Sequence, residues 1–503
     1  METKSDIFKK PLKHSRVEPV SLVKVYSDPN AFQGYAVEKL KDISFPIIIE
    51  KEEIIVDFGD HFTGYLHLEL DNGSDDHIAD SPTNIDFTFA EMPVELMETI
   101  EDDSKSLSRG WLQNDFKTVT FMPYSGSLER RYSFRYLRLK RSDSVRFAIK
   151  ITALYLDAVS AVNIEDCLPA EISDPLLGKI DRICVKTLKE CEQDVFEDGP
   201  KRDRRLWIGD LRLQALVDYK TFRNLDLIKR CIYLFAEHLN NEGLVAPCVF
   251  PDTKPYIDQW IFLDYSLCIC LCLCDYLENI GDVSLPAELY EVAVKQIEYT
   301  ASVFSAEKNC FDAPFFIDHG NYDRSTAALG YVAYTLRHMT VLAEKLGRPT
   351  GRIYSLLEKT DSALLSRRDP KTGLFTAERG EISWQSQVWA ALSGALTAAS
   401  ARELLEKTEA YDPKIRMSSP FMTHYYLEAL YACGNAEKAV SYMKSYWGDI
   451  LKAGFDCCPE CFDSRDQRLS PYSTPVLNSA CHAWSCTPSY WIRKYHIKDN
   501  KIK

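Results

Sequence analysis

The sequence predicts a chain of two fold classes, an N-terminal β-sandwich followed by an all-α (α/α)6 barrel. Three observations carry that expectation. Short runs alternating apolar and polar residues fill the first 160 positions. After about residue 165 the apolar period becomes that of a helix. Roughly twelve helical patterns then follow, joined by loops that alternate between short and long. Twelve helices in six hairpins can close into a toroid, where long loops at one shared end gather side chains from distant parts of the chain. No tight internal repeat is visible, so the toroid follows from the helix count. The expected division is 1–160 for the sandwich and 161–503 for the barrel.

The β elements come first. "IIVDFGDHFTGYLHLEL" alternates around a Gly-containing turn. "NIDFTFAEM", "KTVTFMPY", "RYSFRYLRLK" and "RFAIKITALYL" continue the pattern, with "DNGSDD" and "YSGS" read as turns between strands. The first helix is set by "SDPLLGKIDRICVKTLKECEQDVF", with Asp174 as N-cap and Pro175 at the first helical position. Further helical patterns run near 208–220, 225–239, 260–278, 285–303, 324–346, 350–367, 383–396, 399–408, 420–433, 435–451 and 479–495.

Composition bounds the function. The chain has 503 residues, 46% hydrophobic and 12% aromatic, which suits two domains with sizeable cores. A net charge of −14 argues against nucleic acid or an anionic membrane as the main partner. The N-terminal stretch has no apolar signal-peptide region, and no run of about eighteen apolar residues is present. Sixteen cysteines without an export signal read as reduced thiols, and several sit in helix-like runs such as "SLCICLCLCDYL". The expected compartment is the cytoplasm. The oligomeric state is open, a homodimer included.

Four stretches carry the chemistry. "EDGPKRDRRLWIGD" (197–210) packs four carboxylates, four cations and a Trp around a Gly-Pro step. An ion-paired loop with Asp210 as a capping carboxylate accounts for it structurally. A carbohydrate site accounts for it chemically. Asp198 and Asp210 accept from hydroxyls, Arg202 forks to a carboxylate or diol, Trp207 faces a pyranose, and Asp203 donates a proton. A glycosidase needs two carboxyl groups across the scissile bond. Arg202, Arg204 and Arg205 beside Asp203 would lower its pKa unless they point elsewhere or are neutralised, leaving burial to raise it.

"GFDCCPECFD" (454–463) offers Glu460 as a site carboxylate. Cys457, Cys458 and Cys461 also invite a metal reading with distant His482, but the C-C-x-x-C spacing lacks a second pair, and no metal or other cofactor is expected. "SACHAWSCTPSYW" (479–491) places His482 and Trp484 at the start of the last helix, where a lone His is commonly structural. "DQWIFLDYS" (258–266) sets Trp260 and Asp264 one helical turn apart, as core and cap by default.

Taken together and in this order, the four stretches resemble the α-L-rhamnosidases of glycoside hydrolase family 78. That family carries a signature like D-x-P-x-R-[DE]-x-x-x-W-x-G-D, matched here by Asp198, Pro200, Arg202, Asp203, Trp207, Gly209 and Asp210. The resemblance implies Asp203 as general acid, with Asp198, Arg202 and Asp210 as contacts to rhamnose hydroxyls. Trp207 and Trp260 then correspond to pocket aromatics. A late family loop like G-x-T-x-x-W-E-x-x-D implies Glu460 as catalytic base, with Asp463 at its final Asp. A S-x-C-H-x-W-S element is matched by "SACHAWS" and its His482. The resemblance covers nearly the whole chain, including "IIVDFGDHFTGYLHLEL", "SFRYLRLK", "SSPFMTHYYLEALYACG" and "YWGDIL".

Departures exist. Many members have Glu where this chain has Asp203, an aromatic where it has Cys458-Pro459, and a mid-barrel aromatic that His319 of "FIDHGNYD" would replace. The extra β-domains of larger members are not expected. The resemblance implies an exo-acting, inverting hydrolase of terminal α-L-rhamnose from small glycosides or oligosaccharides, needing no cofactor. Two alternatives stay open at this point. One is a six-hairpin hydrolase or lyase for another sugar, such as an unsaturated uronide. The other is a catalytically silent sugar-binding protein.

Overall fold

The computed structural model describes residues 3–50, 53–73, 82–100, 109–141, 147–251 and 254–497. Ten antiparallel strands form one continuous sheet in the N-terminal part. Its spine is a single 19-residue strand, Ile54–Asn72, rather than the hairpin expected from its central glycine. The ladder slips register between Asp57 and Phe62. Gly59 sits there with φ of +80°, a conformation that costs a Cβ-bearing residue. The strand thus bends without reversing, and its two halves serve two arms. Before the bend it pairs with Ser21–Ser27, and Tyr132–Arg141 runs beside it on both sides of the bend. After it, the partners are Ile149–Ser160 and Tyr124–Ser127.

The arms close over a shared core that includes Val56, Phe87, Phe89, Leu137 and Leu139 from one side and Leu66, Leu68, Leu70, Ile149, Ile151 and Leu156 from the other. Alternation buries every second side chain of Leu66–Leu70, as a half-buried strand requires. "YSGS" proves to be the short strand Tyr124–Ser127, paired to His67–Leu70, so a partner edge overrides its turn-like composition. Of "DNGSDD", residues 74–76 lie outside the described residues.

Twelve longer helices follow: α1 Pro175–Cys191, α2 Ile208–Asp218, α3 Leu225–Glu237, α4 Leu263–Ile280, α5 Ser284–Ser302, α6 Ser325–Lys345, α7 Gly351–Ser366, α8 Trp384–Leu392, α9 Ala398–Tyr411, α10 Pro420–Ala432, α11 Ala436–Lys452 and α12 Pro488–Tyr495. Asp174 caps α1 by accepting from the backbone N–H of Leu176 and Leu177, and Pro175 fills N1. From α2 to α10 each even-numbered helix touches the next even-numbered one, and α10 meets the turn Ala483–Ser485, completing the inner ring. The ring closes where the turn Ala483–Ser485 and α12 meet α2. Odd-numbered helices lie outside, with α1 packed on α11 and α12. All residues of inner α2 are buried, whereas outer α11 buries mainly one face, as the two layers demand.

Two expected helices begin later than the pattern suggested. α4 starts at Leu263, leaving Trp260 in the preceding loop. α12 starts at Pro488, so His482 and Trp484 belong to an irregular stretch with a single 3-10 turn. In both stretches apolar residues line a site instead of a helix face, and periodicity cannot tell the two apart. Among the described residues no helix is long and apolar enough to cross a membrane.

Candidate active site

The inner helices run the same way, so their N-termini share one end of the barrel. Asp210 stands in the first turn of α2 and Asp264 in the first turn of α4. His319 precedes α6, Ser419 caps α10, and His482 precedes α12. Loops at this end bring in Asp203 and Glu460. The site is therefore assembled by ring closure rather than by any local motif.

The segment 197–210 is anchored from both domains. Arg131 of the sandwich sets Nη2 between the two carboxylate oxygens of Glu197 at 2.6 and 2.7 Å and donates from Nη1 to Gln193 Oε1 at 2.9 Å. Asp198 is buried and accepts from the backbone N–H of Asp203 and of Arg205, both at 3.1 Å. It thus shapes the turn that presents Asp203. Gly209 is required by close approach, since a Cβ there would stand 2.8 Å from the Tyr265 ring. Lys201 turns away from the cleft to Glu95 at 2.7 Å and to the carbonyls of Val476 and Asn478.

The three arginines that threatened the acid's proton are disposed of in three ways. Arg204 points out of the site and donates to the carbonyl of Arg131 at 2.7 Å. Arg205 stacks over Phe250 at 4.4 Å and stays 3.8 Å from Asp203. Arg202 bridges both carboxyl groups, donating to Asp203 Oδ1 at 3.1 Å and to Glu460 Oε2 at 2.8 Å. One guanidinium therefore stands between acid and base and is shared by them. Burial is the largest influence on Asp203 and raises its pKa, against the pull of Arg202 and Arg205 and with help from the charge of Glu460.

Glu460 goes the other way. It is 3% exposed, and burial alone would raise its pKa. The Arg202 guanidinium, with His482, His319 and the Tyr472 hydroxyl, outweighs that and holds it at about 2. Tyr472 donates to Glu460 Oε1, and His319 Nε2 lies 3.9 Å from the same oxygen. The two carboxyls are thus shifted in opposite directions, Asp203 up and Glu460 down.

The "SACHAWS" element proves to be the cradle of Glu460. Glu460 donates its backbone N–H to the Ser479 carbonyl at 2.9 Å, and Ser479 donates its own N–H to the Glu460 carboxylate at 3.3 Å. The Trp484 indole N–H donates to the Glu460 carbonyl at 2.9 Å, and Ser485 Oγ donates to the Pro459 carbonyl at 2.6 Å. His482 is buried, which lowers its pKa to about 3 and keeps the ring neutral. It lies 3.5 Å from Asp210 and 3.9 Å from Asp198.

Trp207 and Trp260 face one another with ring centroids 6.3 Å apart. Trp260 is 43% exposed, which puts it at the rim rather than in the core. His319 packs edge-on against Phe316 and Trp484, with Phe421 completing an aromatic wall. Asp264 sits behind this wall, accepting from the backbone N–H of Phe316 and Ile317.

All nine sequence-chosen residues converge on this end of the barrel. Tyr472 was missed, because a single Tyr in a Ser/Pro-rich loop carries no spacing signal. Trp484 and Ser479 were visible in the motif but not their service to Glu460. Asp463, at the end of the base-loop pattern, pairs instead with Arg465 at 2.6 Å near the surface. Cys457, Cys458 and Cys461 do not converge with His482: Cys458 faces Cys184 at 3.7 Å, and Cys461 faces the carbonyl of Leu469 at 3.7 Å.

Asp210 gives a prediction. It is buried beside Asp198, Glu460 and Asp203, and its Oδ1 has no hydrogen-bond partner. Burial first, then those charges, push its pKa well above the usual carboxylate range. Folding then binds a proton that the unfolded chain releases above about pH 4, so this residue lowers stability as pH rises toward neutrality. Asp210→Asn is expected to be more stable than wild type at pH 7–8, on the order of 1–2 kcal/mol, with the gain vanishing near pH 4. Denaturant unfolding at both pH values checks this, and a variant less stable at pH 8 contradicts it.

The comparisons agree with this geometry. A family model described as glycosyl hydrolase family 78 alpha-rhamnosidase N-terminal domain matches residues 19–158. A second, bacterial alpha-L-rhamnosidase 6 hairpin glycosidase domain, matches residues 170–495. The chain is similar to a rhamnosidase from Klebsiella oxytoca with rhamnose bound, at 34% identity and a TM-score of 0.93, covering 98% of this chain and 97% of that one. It shares its fold with the family 78 rhamnosidase of Bacillus sp. GL1 at 19% identity and a TM-score of 0.75, covering 93% of this chain and 50% of that one. The α-L-rhamnosidase of Streptomyces avermitilis complexed with L-rhamnose shares it at 16% identity and a TM-score of 0.68, covering 96% of this chain and 44% of that one. No curated protein matches the sequence. Two family models over nearly the whole chain and a full-length relative above 30% identity place it: the protein is a glycoside hydrolase that belongs to family 78, the α-L-rhamnosidase family, with a six-hairpin catalytic domain.

Proposed function

We propose that this chain is an exo-acting, inverting α-L-rhamnosidase that removes terminal α-L-rhamnose from small glycosides or oligosaccharides. The observation that carries the proposal is the pair Asp203 and Glu460, spanned by Arg202 and split in acidity. Asp203, whose pKa burial raises, donates its proton to the departing glycosidic oxygen. Glu460, ionised throughout the working range, takes a proton from water attacking the opposite face of C1. An inverting pair stands about 6.5–9.5 Å apart to leave room for that water. A guanidinium interposed between the carboxyls supports that separation. Arg202 also holds Glu460 in the charged form a base needs. Asp198, Arg202, Asp210 and His482 line the polar side of the pocket, and Trp207, Trp260 and His319 the aromatic side.

The sugar is read from the balance of charge and apolar surface. A 6-deoxy sugar needs an apolar seat for its methyl group, which the aromatic wall supplies. A uronate would need a cation to itself, whereas Arg202 and Arg205 already face the carboxyls of Asp203 and Glu460. The full-length relative at 34% identity is a rhamnosidase with rhamnose bound, which supports the same choice. A panel of aryl glycosides sharing one chromophore tests it. Rhamnoside should be cleaved far faster than fucoside, mannoside or glucuronide, and preference for any other member overturns the assignment.

The boundary near residue 160, a cytoplasmic location and a proton-transfer chemistry that uses no catalytic cofactor belong to the same proposal. All sixteen cysteines are unpaired, as a reducing compartment would keep them. A homodimer fits the proposal, and sedimentation velocity decides the assembly.

A pH profile follows from the acidity split. Because Glu460 titrates near pH 2, it sets no acid limb in the range where the protein stays folded. Rate should fall only on the alkaline side, as Asp203 loses its proton. A kcat/KM profile on a natural rhamnoside is expected to show no acid limb above the onset of acid unfolding and a one-proton decline on the alkaline side. An acid limb well above the unfolding range would contradict the assignment of Glu460.

A further inference from the structure

The sandwich meets the barrel behind the catalytic loops, and there the fold gathers one cluster of soft ligands. His61, Cys457 and Cys481 are all buried, with their candidate ligand atoms within 4.8 Å of one another. They come from three separate elements. His61 lies at the bend of the long sandwich strand, Cys457 three residues before Glu460, and Cys481 one residue before His482.

The histidine is prepared as a ligand. Its Nε2 is held by the Glu91 carboxylate at 3.0 Å and Ser133 Oγ at 2.9 Å. Its Nδ1 is buried and has no hydrogen-bond partner. A carboxylate on one ring nitrogen and an open second nitrogen is the orienting arrangement of metal-bound histidines. Glu91 is itself fixed, accepting from the backbone N–H of Ala480 at 2.6 Å and lying 3.7 Å from Lys201. A third thiol is close, as a fourth candidate ligand: Cys191 Sγ stands 4.0 Å from Cys481 Sγ. Two thiolates on a tetrahedral zinc, with Zn–S of about 2.3 Å, stand about 3.8 Å apart.

We propose that His61, Cys457 and Cys481 form a structural site for a soft divalent cation of the zinc type, with Cys191 as the nearest fourth ligand. Sulfur and imidazole donors in a closed site select zinc over hard cations. Binding releases the thiol protons, so the ion, the Cys457 and Cys481 thiolates and a neutral imidazole sum to zero charge, and Cys191 joining as a thiolate brings the site to −1. The ion would tie the sandwich bend to the two loops that hold Glu460 and His482. Its role is to fix those loops, and it takes no part in proton transfer. The C-C-x-x-C spacing argued against a metal because it considered Cys457, Cys458 and Cys461 together; the fold separates them and pairs Cys457 with residues from elsewhere.

Elemental analysis of the intact protein, purified without chelator and reconstituted with zinc, tests this independently of rhamnoside hydrolysis. About one zinc per chain is expected. Cobalt exchange should give the thiolate charge-transfer band and the intense visible bands of tetrahedral coordination. Removing the metal should lower the melting temperature by several degrees, reversed by added zinc. Cys481→Ser and His61→Gln should lose the metal, while Cys461→Ser, in the same loop but outside the trio, should keep it. Should those variants fail to fold, the wild-type zinc content and cobalt spectrum still decide. Less than about one-tenth zinc per chain after reconstitution, or a Cys457–Cys481 disulfide, would overturn the proposal.

Discussion

Glu460→Gln is expected to abolish hydrolysis of aryl and natural rhamnosides alike, by about 10³–10⁴-fold or more in kcat, because water must be deprotonated whatever the leaving group. The motive is geometric. Glu460 is buried, ionised and aimed by Tyr472, Ser479 and Trp484. Reduced stability should accompany the loss, since the buried Arg202 would lose the carboxylate that Glu460 supplies. Small anions such as azide should restore part of the rate by attacking without a base, turning the α-glycoside into a β-glycosyl azide. Near-normal kcat in a folded variant would remove Glu460 from the role.

Asp203→Asn is expected to separate substrates by leaving group. Natural glycosides leave as poor alkoxides and need the proton, so they should slow by about 10²–10⁴-fold. Aryl rhamnosides with acidic phenols should slow much less. The alkaline decline of the pH profile should vanish for these substrates, since the titrating group is gone. Equal losses on both substrate classes would mark Asp203 as structural, which its backbone tie to Asp198 makes a fair contest.

Much of this site was legible because the chemistry is written in contiguous motifs. The signature from Asp198 to Asp210 holds Asp203, the shaping carboxylate Asp198 and Trp207 within one turn-and-helix start, so spacing alone groups them. Helix count was legible for a related reason, since amphipathic outer helices such as Ala436–Lys452 repeat at 3.6 residues. Elements defined by their partners were not. Ile54–Asn72 reads as a hairpin because Gly59 marks a turn locally, and only pairing on both sides of the bend shows one strand. "YSGS" becomes a strand because His67–Leu70 offers an edge. Trp260 and His482 read as helical because a site lining and a helix face are equally apolar.

The acidity split was beyond the sequence for the same reason. Three arginines beside Asp203 have one effect on paper and three in space. Arg204 leaves, Arg205 stacks, and Arg202 is shared with a carboxylate from a distant loop. Gathering His61 with Cys457 and Cys481 likewise depends on how the sandwich docks.

The central claim is that Asp203 and Glu460 act as acid and base on opposite faces of a rhamnoside, and the anomer released in the first turnovers tests it most directly. Proton NMR of wild-type enzyme with an α-L-rhamnoside, followed before mutarotation, should show β-L-rhamnose appearing first. α-L-Rhamnose as the first product would mean retention through a covalent intermediate, and would contradict the assignment of Glu460 as a base acting through water.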